Sequence, residues 1–154
     1  MILVVNPNYF NNLTSYFNPS VRTTTSTVRI VDAANNSTKA EVAISLANTS
    51  EKRKKGLSGV TNLPENSGML FVFEQTTKPI FWMKGVKIPL DIIWIRGDQV
   101  VDLIANLPIP EAGADDNSLP RFAPNTEVDK ALEVNSGFIE KNNIRIGDRL
   151  EMVN

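Results

Sequence analysis

The sequence contains no cysteine and no histidine, and these two absences exclude whole classes of chemistry. Without cysteine the chain forms no disulfide, thiolate nucleophile or zinc–thiolate site. Without histidine it lacks the side chain whose ordinary pKa lies nearest neutrality, so Ser-His-Asp and Cys-His machinery and imidazole metal sites are excluded. Catalysis would depend on carboxylates, lysine, tyrosine or hydroxyls, and we expect no cofactor and no metal.

Net charge and long apolar runs are also missing. The 16 lysines and arginines nearly balance the 17 aspartates and glutamates, so the field that would gather nucleic acid is absent and no nucleic-acid partner is expected. No apolar run approaches the length of a membrane span, and the opening "MILVV" is too short for a signal-peptide core. The location stays open, and a virion or an extracellular complex is compatible with such a chain.

The 154 residues suffice for one domain, but the first 26 differ from the rest. Residues 1–26 are rich in Asn, Thr and Ser, with two Asn-Pro steps that disfavour helix. Their aromatic residues come in pairs, which suits docking on another surface. We therefore predict an extended N-terminal arm that contacts protein subunits of a larger assembly through Tyr9, Phe10, Tyr16 and Phe17.

Residues 27–154 predict a β-rich domain. Alternation of apolar and polar residues predicts a hairpin of two strands, "TVRIVD" and "KAEVAISLA". A short helix is predicted at "TSEKRKK", because Asn48 and Glu51 have capping-box spacing. We expect its basic residues to form a solvated face. Four apolar runs follow and predict adjacent antiparallel strands: "MLFVF", "IFWM", "LDIIWI" and "VVDLIA". Because several runs are apolar on both faces, we expect a closed or wrapped sheet.

The last third begins with a long irregular loop, "NLPIPEAGADDNSLPRFAPNT". Loops of this length are uncommon in compact domains and are often functional or mobile. "DKALEVN" then predicts a strand, "SGFIEKNN" a short helix and "RIGDRLEMV" a Gly-Asp turn into a final strand. The predicted fold is mainly β (α+β), a compact antiparallel barrel-like sheet with two short helices, preceded by the arm.

The order of motifs resembles domain-of-unknown-function family 192, a prokaryotic family of small β-rich domains that are often exported. The matching motifs cover about residues 40–152 and are "TSEKRKKGLSG", "LPENSGMLFVF", "FWMKGVKIPLDIIWI", "ALEVNSGF" and "IRIGDRLEM". Gly85 stands where the family more often has Asn, and the cysteine pair of many relatives is missing. The resemblance implies a fold and leaves the activity open.

Four residues of these motifs are candidate ligand-binding residues: Trp82, Lys84, Asp91 and Glu133. Asp91 shares a strand face with Ile93 and Ile95, so its carboxylate needs a partner, either Lys84 or backbone N–H groups at the Pro89 turn. Should Asp91 and Glu133 share one cleft, they would form the carboxylate pair that glycoside hydrolysis needs. Trp82 could form an aromatic platform for a sugar with Trp94, although Trp94 alternates with core residues.

Two functions therefore compete. The first is a non-enzymatic interaction module that docks into a larger assembly through its arm. The second is an exported domain that binds a small ligand or carbohydrate, or a hydrolase that works with carboxylates. Since no catalytic signature is present, the sequence favours the first.

Overall fold

A computed structural model of the chain describes residues 26–153, which form seven β-strands, two short α-helices and one turn of 3-10 helix. The strands are β1 (Ser26–Val31), β2 (Thr38–Ala47), β3 (Ser67–Thr77), β4 (Leu90–Arg96), β5 (Gln99–Leu107), β6 (Val128–Asn135) and β7 (Arg149–Val153). The helices are α1 (Ser50–Lys55) and α2 (Phe138–Lys141), and the 3-10 turn is Asp116–Ser118.

The strands close into a barrel in the order β1-β2-β3-β6-β4-β5-β7, which confirms the predicted mainly β, barrel-like fold. The β1–β2 and β4–β5 hairpins form as expected, the second around Gly97. One pairing differs from the prediction, because β2 and β3 run parallel. The intervening chain contains α1 and crosses over to the same end of the barrel, as a parallel connection requires.

The predicted strand "IFWM" does not form, and β3 and β4 are not neighbours, because β6 lies between them. Residues 79–89 instead cross the outside of the barrel, between Pro79 and Pro89, whose lack of an N–H limits strand pairing. The segment keeps a single β-bridge, in which the N–H groups of Phe81 and Phe122 each donate to the other's carbonyl, at 2.7 and 2.8 Å. This bridge fastens the long loop to the segment.

The apolar runs on both strand faces are explained by two cores. The first fills the barrel and contains Val28, Ile30, Val42, Ile44, Leu70, Ile93, Ile95, Leu132, Val134 and Leu150. The second covers the outer face of β3, β4 and β6, where Phe71, Ile92, Trp94 and Ala131 pack against side chains from the connecting segments, Leu57, Leu63, Phe81, Met83 and Val86. The central strands are therefore buried on both sides, as the sequence predicts.

The two helices form near the predicted positions. The N-cap of α1 is Thr49 and not Asn48, since the Thr49 side chain accepts a hydrogen bond from the Lys52 N–H. Gly56 ends the helix with a positive φ of 47°, which glycine adopts without strain. Helix α2 ends at Lys141, with Asn142 as its C-cap. Within residues 26–153, no helix is long and apolar enough to cross a membrane.

One buried ion cluster joins the β1–β2 hairpin to the turn before β7. Lys39 Nζ lies 2.8 Å from Asp148 and 3.1 Å from Asp32, and it also donates to the main-chain oxygen of Asn143. The side chains of Lys39 and Asp148 are only 8% and 4% exposed. Burial alone lowers the pKa of Lys39, but the bonds and charges of the two aspartates outweigh it and hold this pKa above its ordinary value.

Candidate functional site

A cleft of about 390 Å³ opens on the outer side of the barrel, between α1, β3 and the segment that crosses it. Its floor is aromatic, and Phe81 at its base packs edge-on against Phe71 and Trp94, with ring centroids 4.9 and 5.0 Å apart. The lining side chains are apolar or basic except for one serine: Phe71, Phe73, Pro79, Ile80, Phe81, Trp82, Ser50, Arg53, Lys54 and Arg121. The volume falls in the usual range of small-molecule sites.

Arg121 reaches the cleft from the long loop and stacks on Trp82. The guanidinium carbon lies 3.9 Å from the centroid of the Trp82 ring, a distance typical of a close cation–π contact. Arg121 Nη2 also donates to the main-chain oxygen of Asp116, at 3.3 Å. An aromatic face and a main-chain carbonyl together fix this guanidinium.

Arg53 enters the same cleft from α1 and is held in a similar way. Its Nη1 donates to the main-chain oxygen of Val72 at 2.9 Å, and its guanidinium carbon lies 5.9 Å from the centroid of the Phe73 ring. Two arginines from distant parts of the chain therefore meet at one cleft, each positioned by a ring and a carbonyl.

The cleft carries positive charge that the described part of the chain does not neutralise. Its lining includes no carboxylate, and neither Arg53 nor Arg121 forms an ion pair within residues 26–153. Guanidinium groups recognise carboxylate and phosphate groups through charge-assisted hydrogen bonds. An aromatic floor with such a rim can hold an anionic group that is attached to an apolar body.

Lys84 lies beside this cleft and does not pair with Asp91, the first of the two alternatives that the sequence left open. Lys84 forms an ion pair with Asp116 of the long loop, and its Nζ lies 5.4 Å from the centroid of the Trp82 ring. The reason is topological: Lys84 belongs to the segment outside the barrel, whereas Asp91 shares the inner strand face with Ile93 and Ile95.

Asp91 is fully buried and bonds to backbone N–H groups, the second alternative that the sequence left open. Its two carboxylate oxygens accept hydrogen bonds from the N–H of Asn106, at 2.8 Å, and of Ile139, at 2.9 Å. The donors differ from the expected Pro89 turn. Asp91 thus joins β4 to the end of β5 and to the first turn of α2, and its carboxylate lies away from the cleft.

Glu133 does not share a site with Asp91, so the predicted carboxylate pair does not form. In the β4–β6 ladder Glu133 lies opposite Ile92, while Asp91 lies opposite Val134, and neighbouring positions in a strand point to opposite faces. Glu133 is 2% exposed, and its Oε2 has no hydrogen-bond partner in the described structure. Burial raises the pKa of this carboxyl to about 8.

The two tryptophans do not form an open platform for a sugar. Trp94 is fully buried beneath Phe81 in the outer core, as its alternation predicts. Trp82 is only 9% exposed, with the cations of Arg121 and Lys84 over its ring. Of the four predicted ligand-binding residues, Trp82 alone lines the cleft, and Lys84 lies next to it.

Sequence reasoning missed both arginines of the site. Arg53 belongs to the basic run of α1, which was interpreted as a solvated face, yet this side chain is half-buried against β3. Arg121 lies in a loop without periodicity, and no spacing rule relates it to Trp82. No local signal in the sequence identifies the ring on which Arg121 stacks, because Trp82 lies in a different segment.

The predicted assembly contacts lie outside the described residues. Tyr9, Phe10, Tyr16 and Phe17 all precede residue 26, so arm docking stays a prediction. The structure does show that the first strand begins at Ser26, next to the predicted boundary between arm and domain.

Comparison with known proteins gives a fold and a family. A protein from Sinorhizobium meliloti 1021, described as a candidate transcription regulator, is 27% identical with a TM-score of 0.72, over 82% of this chain and 92% of that one. A protein of unknown function from Novosphingobium aromaticivorans DSM 12444 is 27% identical with a TM-score of 0.70, over 81% and 83%. No curated protein matches the chain.

The family model that matches the chain is the one described as "Uncharacterized ACR", and the match spans residues 31–152. This range includes strands β2 to β6, the last residue of β1 and most of β7, together with both helices and the cleft. The chain therefore belongs to domain-of-unknown-function family 192.

Proposed function

We propose that this domain is a binding module for a small ligand that carries an anionic group on an apolar body. The observation that supports the proposal is the pair Arg53 and Arg121, each positioned by an aromatic ring and a carbonyl, without a carboxylate partner in residues 26–153. Because both guanidinium groups already have fixed contacts and neither is neutralised, an anion can bond to them with little further loss of side-chain entropy. The anion would bond the guanidinium groups while the apolar body packs on Phe73 and Ile80.

The proposal is binding and not catalysis. The polar side chains that line the cleft are arginine, lysine and serine, and none of them has an ordinary pKa near neutrality. A neutral sugar is a weaker candidate, because Trp82 is only 9% exposed with two cations over its ring, and Trp94 is buried.

A matched pair of fluorescent probes tests this proposal. Anilinonaphthalene sulfonate has an anionic group on an aromatic body, and phenylnaphthylamine has the same rings without the charge. We expect the sulfonate to bind more tightly than the neutral probe. Arg121→Gln should weaken the sulfonate about tenfold, the size expected for one charge-assisted hydrogen bond, and should leave the neutral probe unchanged.

Lys52→Gln is the control, since it also removes one positive charge, here from a side chain of α1 that does not line the cleft. Equal affinity for both probes, or equal losses in the Arg121→Gln and Lys52→Gln proteins, would contradict the proposal. Tight binding of neutral oligosaccharides with no response to Arg121→Gln would favour the carbohydrate alternative.

Arm docking remains a second proposal, supported by the sequence of residues 1–26. This segment has one charged residue, Arg22, and two aromatic pairs, a composition that suits contact with another protein subunit. Light scattering after size exclusion would compare the full chain with residues 26–154. We expect a larger species for the full chain, whereas identical monomers would rule out self-assembly through the arm.

A further inference from the structure

The segment "FWMK" is tied to the long loop by a closed set of contacts among four residues. Lys84 pairs with the carboxylate of Asp116, the carbonyl of Asp116 accepts a bond from Arg121, and Arg121 stacks on Trp82. Lys84 Nζ also lies over the Trp82 ring. Of these residues only Trp82 and Arg121 line the cleft. Asp116 therefore contacts the cleft arginine through its carbonyl, and Lys84 contacts Asp116 and the Trp82 ring, but neither Lys84 nor Asp116 lines the cleft.

The charges of the pair are poorly placed for a merely stabilising role. The side chains of Lys84 and Asp116 are 30% and 48% exposed, and ion pairs at such positions contribute little to folding stability. The pair holds the segment that contains Lys84 against the long loop that carries Arg121, because Asp116 begins the 3-10 turn of that loop. The loop is also joined to the segment by the bridge between Phe81 and Phe122 and by the stack of Arg121 on Trp82, so without the pair the position of the stack would depend on that bridge.

We propose that Lys84 and Asp116 are positioning residues that hold Arg121 on Trp82, and thereby set the affinity of the cleft for an anion without contacting that anion. This inference rests on the proposed function. It assigns the Lys84 of the family motif a role in recognition through Arg121. Preorganising a guanidinium lowers the entropy that the ligand would otherwise lose on binding.

The effect of Asp116→Asn on the affinity for an anion distinguishes a positioning role from a direct effect of charge. If only the local charge mattered, Asp116→Asn would raise the affinity for an anion, since it removes a negative charge near Arg121. Positioning predicts the opposite sign. We expect Asp116→Asn and Lys84→Met each to weaken anilinonaphthalene sulfonate about two- to fivefold, the range of an ion pair or cation–π contact at an exposed site. Lys84→Arg, which keeps the pair, should bind like the unmodified chain.

Glu111→Gln serves as the matched control. It removes an acidic charge from the same loop, and Glu111 has no side-chain bond to the four residues. Its affinity should be unchanged or slightly higher. An Asp116→Asn protein that binds the probe as tightly as Glu111→Gln, or more tightly, would overturn the positioning role.

An NMR readout in the ligand-free protein separates this inference from the proposed function. The Arg121 side-chain hydrogens lie over an indole ring, so they should resonate upfield of an ordinary arginine. We expect that displacement to collapse in Asp116→Asn and in Lys84→Met and to persist in Lys84→Arg and Glu111→Gln. If this pattern of chemical shifts is observed but the probe does not bind, only the proposed function is contradicted. If the upfield shift of Arg121 persists in both Asp116→Asn and Lys84→Met, the positioning role is contradicted.

Discussion

The positioned cations of this molecule lie in two opposite environments. Lys39 is buried and neutralised by Asp148 and Asp32, with a further bond to a carbonyl. Arg53 and Arg121 are positioned by rings and carbonyls, without an acidic partner in residues 26–153. The charge of Lys39 is neutralised within the fold. The guanidinium groups of Arg53 and Arg121 are held in place, and their charge remains available to a ligand.

The largest expected effect comes from breaking the neutralised cluster. Lys39→Met should lower the free energy of unfolding by about 4 kcal/mol, because it leaves the carboxylate of Asp148 buried without its cation. Anion binding at the distant cleft should not change. Urea denaturation measures the loss, and Lys87→Met, at an exposed lysine, should cost less than about 0.5 kcal/mol. A Lys39→Met protein of unaltered stability would show that this cluster is not a structural one.

Glu133 extends the comparison to a buried carboxyl whose Oε2 has no hydrogen-bond partner in the described structure. Burial raises its pKa from 4.5 to about 8, so the folded state keeps a proton that the unfolded state releases above pH 4.5. The free energy of unfolding should therefore fall as the pH rises from 5 to 8, by about 3 kcal/mol in total.

Glu133→Gln cannot ionise and should remove that decline. The measurement is urea denaturation of both proteins across this pH range. A decline of equal size in the Glu133→Gln protein would assign the decline to other groups and would contradict the raised pKa of the buried Glu133 carboxyl.

The smallest effect is expected at the helix that carries Arg53. Thr49→Ala removes the N-cap bond of α1 and should cost about 1 kcal/mol of stability. As the helix frays, Arg53 should lose its fixed position, and sulfonate affinity should fall about two- to threefold. Thr61→Ala, at an exposed position outside α1, should change neither quantity. Unchanged affinity in Thr49→Ala despite the loss of stability would place Arg53 outside the binding contacts.

The strands were largely predictable from the sequence, since alternation in β1 and β2 and the doubly apolar runs of β3 and β4 follow directly from burial on one or two faces. The failure at "IFWM" has a physical reason. An apolar run flanked by prolines can be buried by crossing a sheet as well as by joining it, and composition does not distinguish the two. The order of strands and the parallel β2–β3 pair depend on long-range packing, which local patterns do not contain.

The site was less predictable than the fold. Alternation correctly placed Asp91 and Trp94 at buried positions, but the ladder register decides that Asp91 and Glu133 face opposite sides. Pairings across the chain were inaccessible: Lys84 with Asp116, and Arg121 with Trp82, are brought together by one loop without periodicity. The family motif did locate the right segment, because Trp82 proves to be the residue on which the cleft arginine stacks.

The most direct test of the central claim is NMR observation of the side-chain cations during titration with anilinonaphthalene sulfonate. Our account predicts that the Nε–H signals of Arg53 and Arg121 shift together and saturate with the fluorescence change, while the Nζ signal of Lys39 does not move. Probe binding that leaves both arginine signals in place would contradict the assignment of the cleft as the anion site.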